Sequence, residues 1–330
     1  MTDLRFKSAS ALLYDSEPSM RQNTRSALLN LGFGAVVACS DPHEFIELTK
    51  NGKFDLILAE MASPGASIHH IIRDIRSHTI GPDPFVNVIL FLWNTAPDVV
   101  GEVINAGADD LITRPMSRTQ MLTRLQRLVG ARKPFIVTAD YFGPDRRKVL
   151  RGMTSVPTMI VPNSLQAKVE NRPELAATPE AVRWAVKAMK ERKISIYTEQ
   201  LVRLSSAVIL LSGSSDSYGD RQDVVDVMQQ RNKALVGFVE GTEHSHVVSL
   251  CQALDDLLKS IAKAKSPLKD KDRELLSQIP YAIQKGCADL HQTAGLAFDI
   301  RDISARVIDA QKAGKPTSLQ VKEKFRQTFG

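Results

Sequence analysis

The sequence is poor in cysteine, with three in 330 residues (Cys39, Cys251 and Cys287), and none forms a Cys-x-x-Cys pair. Such scattered thiols exclude a disulfide framework or a cysteine zinc site and fit buried free thiols in a reducing compartment. Long apolar runs are also missing. Segments such as 207–211 fall far short of the roughly 18–20 residues a membrane span needs, so no span is expected. The first residues lack the charged-then-apolar layout of a secretory signal, and a cytoplasmic location follows as the expectation. Aromatic residues make up only 6% of the chain.

Charge is present in both signs but distributed unevenly. Residues 1–130 carry 12 basic and 14 acidic side chains, and the remainder carries 31 and 23. A mildly acidic front and a basic back argue for two units with different partners.

The front half alternates short β-branched runs near 11–14, 35–38, 56–58, 88–92 and 111–112 with amphipathic stretches near 18–31, 41–50, 67–77, 98–106 and 117–129. Strand and helix alternating five times predict a doubly wound, five-stranded parallel α/β sheet over residues 1–130. Functional groups in such folds gather at the carboxyl ends of the strands. Residues 131–175, with recurring prolines and the run Arg146, Arg147 and Lys148, read as an extended linker carrying one or two short strands near 135–137 and 159–161. Residues 176–330 read as an all-helical bundle of five or six helices. Thr178-Pro179 supplies a helix start. Apolar stripes run through Val247, Leu250, Cys251, Leu254, Leu257, Leu258 and Ile261, through Val224, Val227, Met228 and Leu235, and through Leu275, Leu276, Ile279 and Ile283.

Three strings in the front half fit one pattern. Tyr14, Asp15, Ser16, Glu17 and Pro18 are followed by Arg21; residues 54–65 read Phe-Asp-Leu-Ile-Leu-Ala-Glu-Met-Ala-Ser-Pro-Gly; residues 106–115 read Ala-Gly-Ala-Asp-Asp-Leu-Ile-Thr-Arg-Pro. Together they resemble the CheY-like receiver domain of bacterial response regulators, across essentially the whole domain.

The resemblance implies a flavodoxin-like fold and a pocket in which paired acids and an acceptor aspartate hold magnesium while a hydroxyl and a lysine bind phosphoryl oxygens. Most of these parts are replaced here. Asp15 keeps the first acid, but Ser16 stands at the second, which weakens a site for a hard cation. Glu60 stands at the acceptor, Leu92 at the hydroxyl with Trp93 after it, and Arg114 at the lysine. Leu111 stands at the switch aromatic, so both switch positions are leucines with no polar group to respond to phosphate. Glu60 has two readings, a phosphate mimic or a structural partner of Arg114, and the second is preferred. Trp93 either covers the pocket or faces a partner. Arg114-Pro115 is expected to keep the family's cis peptide.

Outside the receiver, residues 140–148 look like a Gly-Pro-Asp-Arg-Arg segment that trails the receiver in some bacterial regulators. Tyr141 and Phe142 could fill a groove while Arg146 and Arg147 bind carboxylates or phosphates; a solvated arm is the alternative. Residues 297–302 are faintly similar to a histidine phosphotransfer segment, with Phe298 at the histidine and Arg301 at the lysine; another register puts His291 at the histidine. The reading taken is a non-catalytic, phosphorylation-independent signalling adaptor with protein partners in a bacterial pathway, open to self-association and using no cofactor or metal. A phosphorelay component using a non-standard residue and a nucleic-acid-binding regulator acting through the basic half are the alternatives, the latter disfavoured for want of a binding module.

Overall fold

The computed structural model describes residues 6–61, 67–93, 95–147, 157–212, 218–242, 244–264 and 267–287. The chain divides into two compact units, residues 1–187 and 188–330.

In the first unit, β1 (Ser10–Tyr14), α1 (Pro18–Asn30), β2 (Ala35–Cys39), α2 (Pro42–Asn51), β3 (Leu56–Glu60), α3 (Ile68–Arg76), β4 (Asn87–Leu92), α4 (Pro97–Ala106), β5 (Asp110–Thr113) and α5 (Arg118–Gly130) follow in order. The five strands form one parallel sheet in the order β2-β1-β3-β4-β5. Every residue of β3 and β4 is buried, as two covered faces require. One face packs Leu13, Leu58, Ile89 and Phe91 against α1 and α5 residues including Leu28, Met121 and Leu125. The other packs Leu12, Ile57, Val88 and Leu90 against Phe45, Ile72 and Val103. Starts are marked chemically: Asp41 accepts from the Glu44 N–H at 2.8 Å, and Ser117 with Gln120 makes a capping box on α5.

Residues 131–175 are more structured than an extended linker. They contain β6 (Phe135–Val137), β7 (Phe142–Pro144), β8 (Thr158–Met159) and α6 (Ser164–Val169). The strands form an antiparallel sheet ordered β7-β6-β8. Leu165 of α6 is fully buried in the same cluster as Leu125 and Leu128 of α5. Asn163 donates to the Leu128 carbonyl and accepts from Asn87, both at 2.8 Å, anchoring α6 to α5 and β4. Phe142 stacks edge-on against Phe85 and Phe135. The segment folds because it has the surface of the five-stranded unit to fold on; its own strands are too short to stand alone.

Arg76 and Arg132 lock that surface. Arg76, 1% exposed, donates to the carbonyls of Gly107, Pro84 and Val86 and to Asp109. Burial lowers its pKa, and Asp109 acts in the opposite direction. Arg132 donates to Asp109, Pro162 and Phe85. Both guanidiniums lie over the Phe135 ring, 5.2 and 5.0 Å from its centroid. Gly107, at φ +92°, ends α4 in the left-handed region, and a Cβ there would stand 3.0 Å from the Phe142 carbonyl. Only glycine suits both demands.

The second unit holds most of α7 (Pro179–Leu211) together with α8 (Tyr218–Val239), α9 (Val247–Lys263) and α10 (Asp270–Gly286). α9 packs on both α8 and α10. Its buried stripe is Val247, Cys251, Leu254, Leu257, Leu258 and Ile261, with Leu250 only half-buried. On α8 the buried line is Val225, Met228, Leu235 and Val239, while Val227 is exposed, so the inward face sits one residue round from the expected stripe. Asn232 occupies the turn between and donates to the Cys251 carbonyl at 2.7 Å, a polar inward residue that hydrophobic periodicity passes over. On α10, Leu276, Pro280 and Ile283 are buried.

One further expectation changes. Among the described residues the stretch Pro173–Leu211 is long and apolar enough to cross a membrane by length and composition. Charged residues from Glu174 to Arg203 interrupt it, so no single apolar run reveals it. Ile194, Tyr197, Leu201 and Val208 within it are buried, 39% of its most apolar window is buried, and Leu210 is exposed.

Candidate functional site

Parallel strands place their carboxyl ends on one rim, which collects the residues singled out from sequence. Asp15 follows β1, Glu60 ends β3, Leu92 ends β4 with Trp93 next, and Arg114 follows β5. The Asp15 N–H bonds to the Cys39 carbonyl, and the Arg114 N–H bonds to the Leu92 carbonyl at 2.8 Å, so strand pairing sets both positions. Arg21 of α1 donates to the Asp15 carbonyl at 2.7 Å and braces the loop between. The Arg114-Pro115 peptide is cis.

The chemistry of the rim turns on one pair. Arg114 Nη2 donates to Asp15 Oδ2 in a short contact, with the two side chains 2% and 0% exposed. Asp15 Oδ1 accepts from the Glu17 N–H at 3.1 Å, so each carboxylate oxygen has a partner. The guanidinium lies 4.4 Å from the Phe91 ring centroid and 5.8 Å from that of Trp93. Aromatic faces and a carboxylate together surround the planar cation, the environment in which arginine outperforms lysine. A buried carboxylate without such a cation would be costly.

Glu60 is the expected partner of Arg114; the partner the structure shows is Asp15. Both acids sit on the rim, and the chain spacing does not say which takes the guanidinium. Glu60 is 4% exposed. Trp93 is half exposed, so it shields one side of Arg114 while still presenting surface. Leu92 is buried, and Leu111, half-buried, packs against the apolar cluster to which Leu92 belongs.

A divalent cation does not fit this arrangement. The acid that would face it already holds a fixed positive charge, Ser16 is exposed and supplies no carboxylate, and among the described residues no group of three His, Cys, Asp or Glu could hold a metal.

The segment around residues 140–147 serves the protein's own interior. Phe142 is buried in the aromatic cluster. Tyr141 donates from its hydroxyl to the Pro144 carbonyl at 3.0 Å, and Arg146 donates to that hydroxyl at 2.9 Å and to the Ala108 carbonyl. The groove that Tyr141, Phe142 and Arg146 fill is formed by the first unit of the same chain. Arg147 pairs with neighbouring Asp145 at 2.6 Å. His291, Phe298 and Arg301 lie outside the described residues. Sequence reading missed Arg76, Arg132 and Asp109 as a unit. Asp109 was visible in the third string, but its two arginines are 33 and 23 residues away.

Comparison with known proteins bears on this site. The family model described as the response regulator receiver domain matches residues 11–126. The sensory transduction protein RegX3 of Mycolicibacterium smegmatis is 26% identical over 120 residues, 36% of this chain and 50% of its own length. The response regulator MprA of Mycobacterium sp. (strain KMS) is 26% identical over 156 residues, 44% of this chain and 64% of its own. The chain therefore spans between 50% and 64% of the length of these relatives. Among solved structures, the chemotaxis response regulator CheY4 of Vibrio cholerae is 23% identical, covering 36% of this chain and 97% of its own at a TM-score of 0.33. The receiver domain of the sensor histidine kinase PA1611 from Pseudomonas aeruginosa, solved with magnesium in its active-site cleft, is 22% identical, covering 36% and 95% at a TM-score of 0.33.

Proposed function

We propose that this chain, whose residues 11–126 are a response regulator receiver domain, is a signalling adaptor that works without phosphorylation and without catalysis of its own. The observation carrying this reading is the Asp15–Arg114 pair. In the family's chemistry a mobile divalent cation neutralises the acids and the incoming phosphoryl group. Here a covalently fixed guanidinium provides that positive charge, and it cannot leave or recruit a phosphoryl donor. Leu92 and Leu111 put apolar side chains where a phosphate-responsive pair would sit. Such a module holds one conformation and offers its shape to protein partners in two-component signalling.

The test is incubation of the full chain with acetyl phosphate and magnesium, followed by intact mass spectrometry, with magnesium titrated against tryptophan fluorescence in parallel. No phosphoryl mass gain and no change in emission are expected. A mass gain that disappears in Asp15→Ala or Glu60→Ala would overturn the proposal.

A further inference from the structure

At the edge of the sheet opposite Asp15, where β3 and β4 begin, the first unit contains a half-open cavity of about 440 Å³. Its receiver side is apolar: Ile57, Ile75 and Val86, all nearly inaccessible, with Phe54 beside them. Its other wall comes from α6 and the start of α7, through Ser164, Ala176, Ala177, Pro179 and Val182. Those residues lie beyond position 126, where the match to the receiver family ends. The cavity is therefore a product of the extension folding beneath the receiver.

Polar groups are few and unevenly placed. Lys53, Lys168 and Arg183 stand among the lining residues as cations. Lys53 is exposed and has no ion-pair partner among the described residues. Arg183 has only a solvent-exposed contact with Glu180 at 3.3 Å, and Lys168 shares Asp55 with Ser10. The exposed Arg183–Glu180 pair is weak and exchanges readily for a ligand's charge, whereas Lys168 pairs with a carboxylate that is itself buried. Of the acids, Asp55 is engaged by Ser10 and Lys168, while Asp83 accepts from the Phe85 N–H at 2.8 Å. Burial pushes the Asp83 pKa up to about 6, so this acid is mostly neutral below that pH and mostly ionised above it. The volume lies near the lower end of the roughly 300–1,000 Å³ usual for small-molecule sites. That suits one aliphatic chain rather than a two-tailed lipid.

We propose that this cavity binds a medium-chain monocarboxylate, its apolar tail against Ile57, Ile75 and Val86 and its carboxylate among Lys53, Lys168 and Arg183. The match is one of charge and polarity: an apolar body meets apolar walls, and the anion meets three cations. The proposal is independent of the reading of the Asp15 rim and stands or falls without it.

Isothermal titration calorimetry of the full chain with dodecanoate, kept below micelle formation, tests it. One molecule per chain is expected to bind. The double variant Lys53→Ala/Arg183→Ala should weaken binding about fivefold to tenfold, the scale of two exposed charge contacts. Dodecanol should bind more weakly than dodecanoate by a similar factor. Ala177→Trp and, as a second filling variant, Val182→Phe should each abolish binding while the circular dichroism spectrum is retained. Absence of binding to the native chain would overturn the proposal. So would equal affinity for dodecanol or dodecylamine, or undiminished binding in folded variants of both filling positions.

Discussion

Arg132 donates from Nε to Oδ1 of Asp109 at 2.7 Å, joining the chain just beyond α5 to the turn that leads into β5. Asp109 also receives Arg76 at 2.8 Å, so one buried carboxylate serves two buried guanidiniums. The asymmetry gives a ranking. Removing Arg132 leaves Asp109 with Arg76, whereas removing Asp109 leaves two buried cations without their counter-charge. Asp109→Ala should therefore cost about 3–5 kcal/mol, and Arg132→Ala clearly less, in guanidinium chloride unfolding. Equal losses would mean the two arginines do not share the acid.

The Asp15–Arg114 pair should behave as a coupled unit. Arg114→Leu leaves a buried carboxylate uncompensated, with an expected loss of about 3–5 kcal/mol, and Asp15→Leu leaves a buried guanidinium at similar cost. The double variant should lose much less than the sum, a coupling readable in a double-mutant cycle. Because the guanidinium lies close to Trp93, Arg114→Leu should also shift tryptophan emission. Additive losses would show that the two groups act separately.

Asp83 makes stability depend on pH in a defined direction. Burial raises its folded pKa to about 6, above the usual carboxylate value of 3.8. Between about pH 4 and pH 6 the folded chain holds a proton that the unfolded chain has released, so this group's contribution is full below the window and lost as pH rises through it. Asp83→Asn keeps an acceptor for the Phe85 N–H without the charge. It should raise the melting temperature at pH 8 and leave it nearly unchanged at pH 4; the reverse order would contradict the assignment.

The three thiols are buried, and burial pushes Cys39 and Cys251 up to about 12 and Cys287 up to about 11. Thiolate is the reactive form. At pH 8 a disulfide reagent such as Ellman's should label the native protein very slowly and all three positions promptly in guanidinium chloride. Rapid native labelling would show that the cores open on the experimental timescale.

The central sheet was legible because its evidence is local. Apolar runs such as 88–92 announce buried strands, and amphipathic stretches such as 41–50 and 117–129 announce the helices between them. The rim was legible too, since a parallel sheet aligns strand ends whatever their side chains. Which acid takes Arg114 was not, because that choice is made by side-chain reach across the rim. The extension was legible only in part. Phe135, Phe142 and Leu165 sit in segments of six residues or fewer, and their burial depends on a receiver surface far away in sequence. The inward turn of α8 was displaced for a comparable reason: Asn232 is polar by type yet buried by its bond to Cys251.

The seating of Leu165 and Val169 on α5 has a bearing on self-association. That flank of the terminal receiver helix is already occupied by residues of the same molecule. A neighbouring molecule approaching along it would have to evict α6 and expose Leu125 and Leu128 to water. Homodimers, if formed, must therefore be built on some other flank, with the extension acting as a permanent internal competitor for this one.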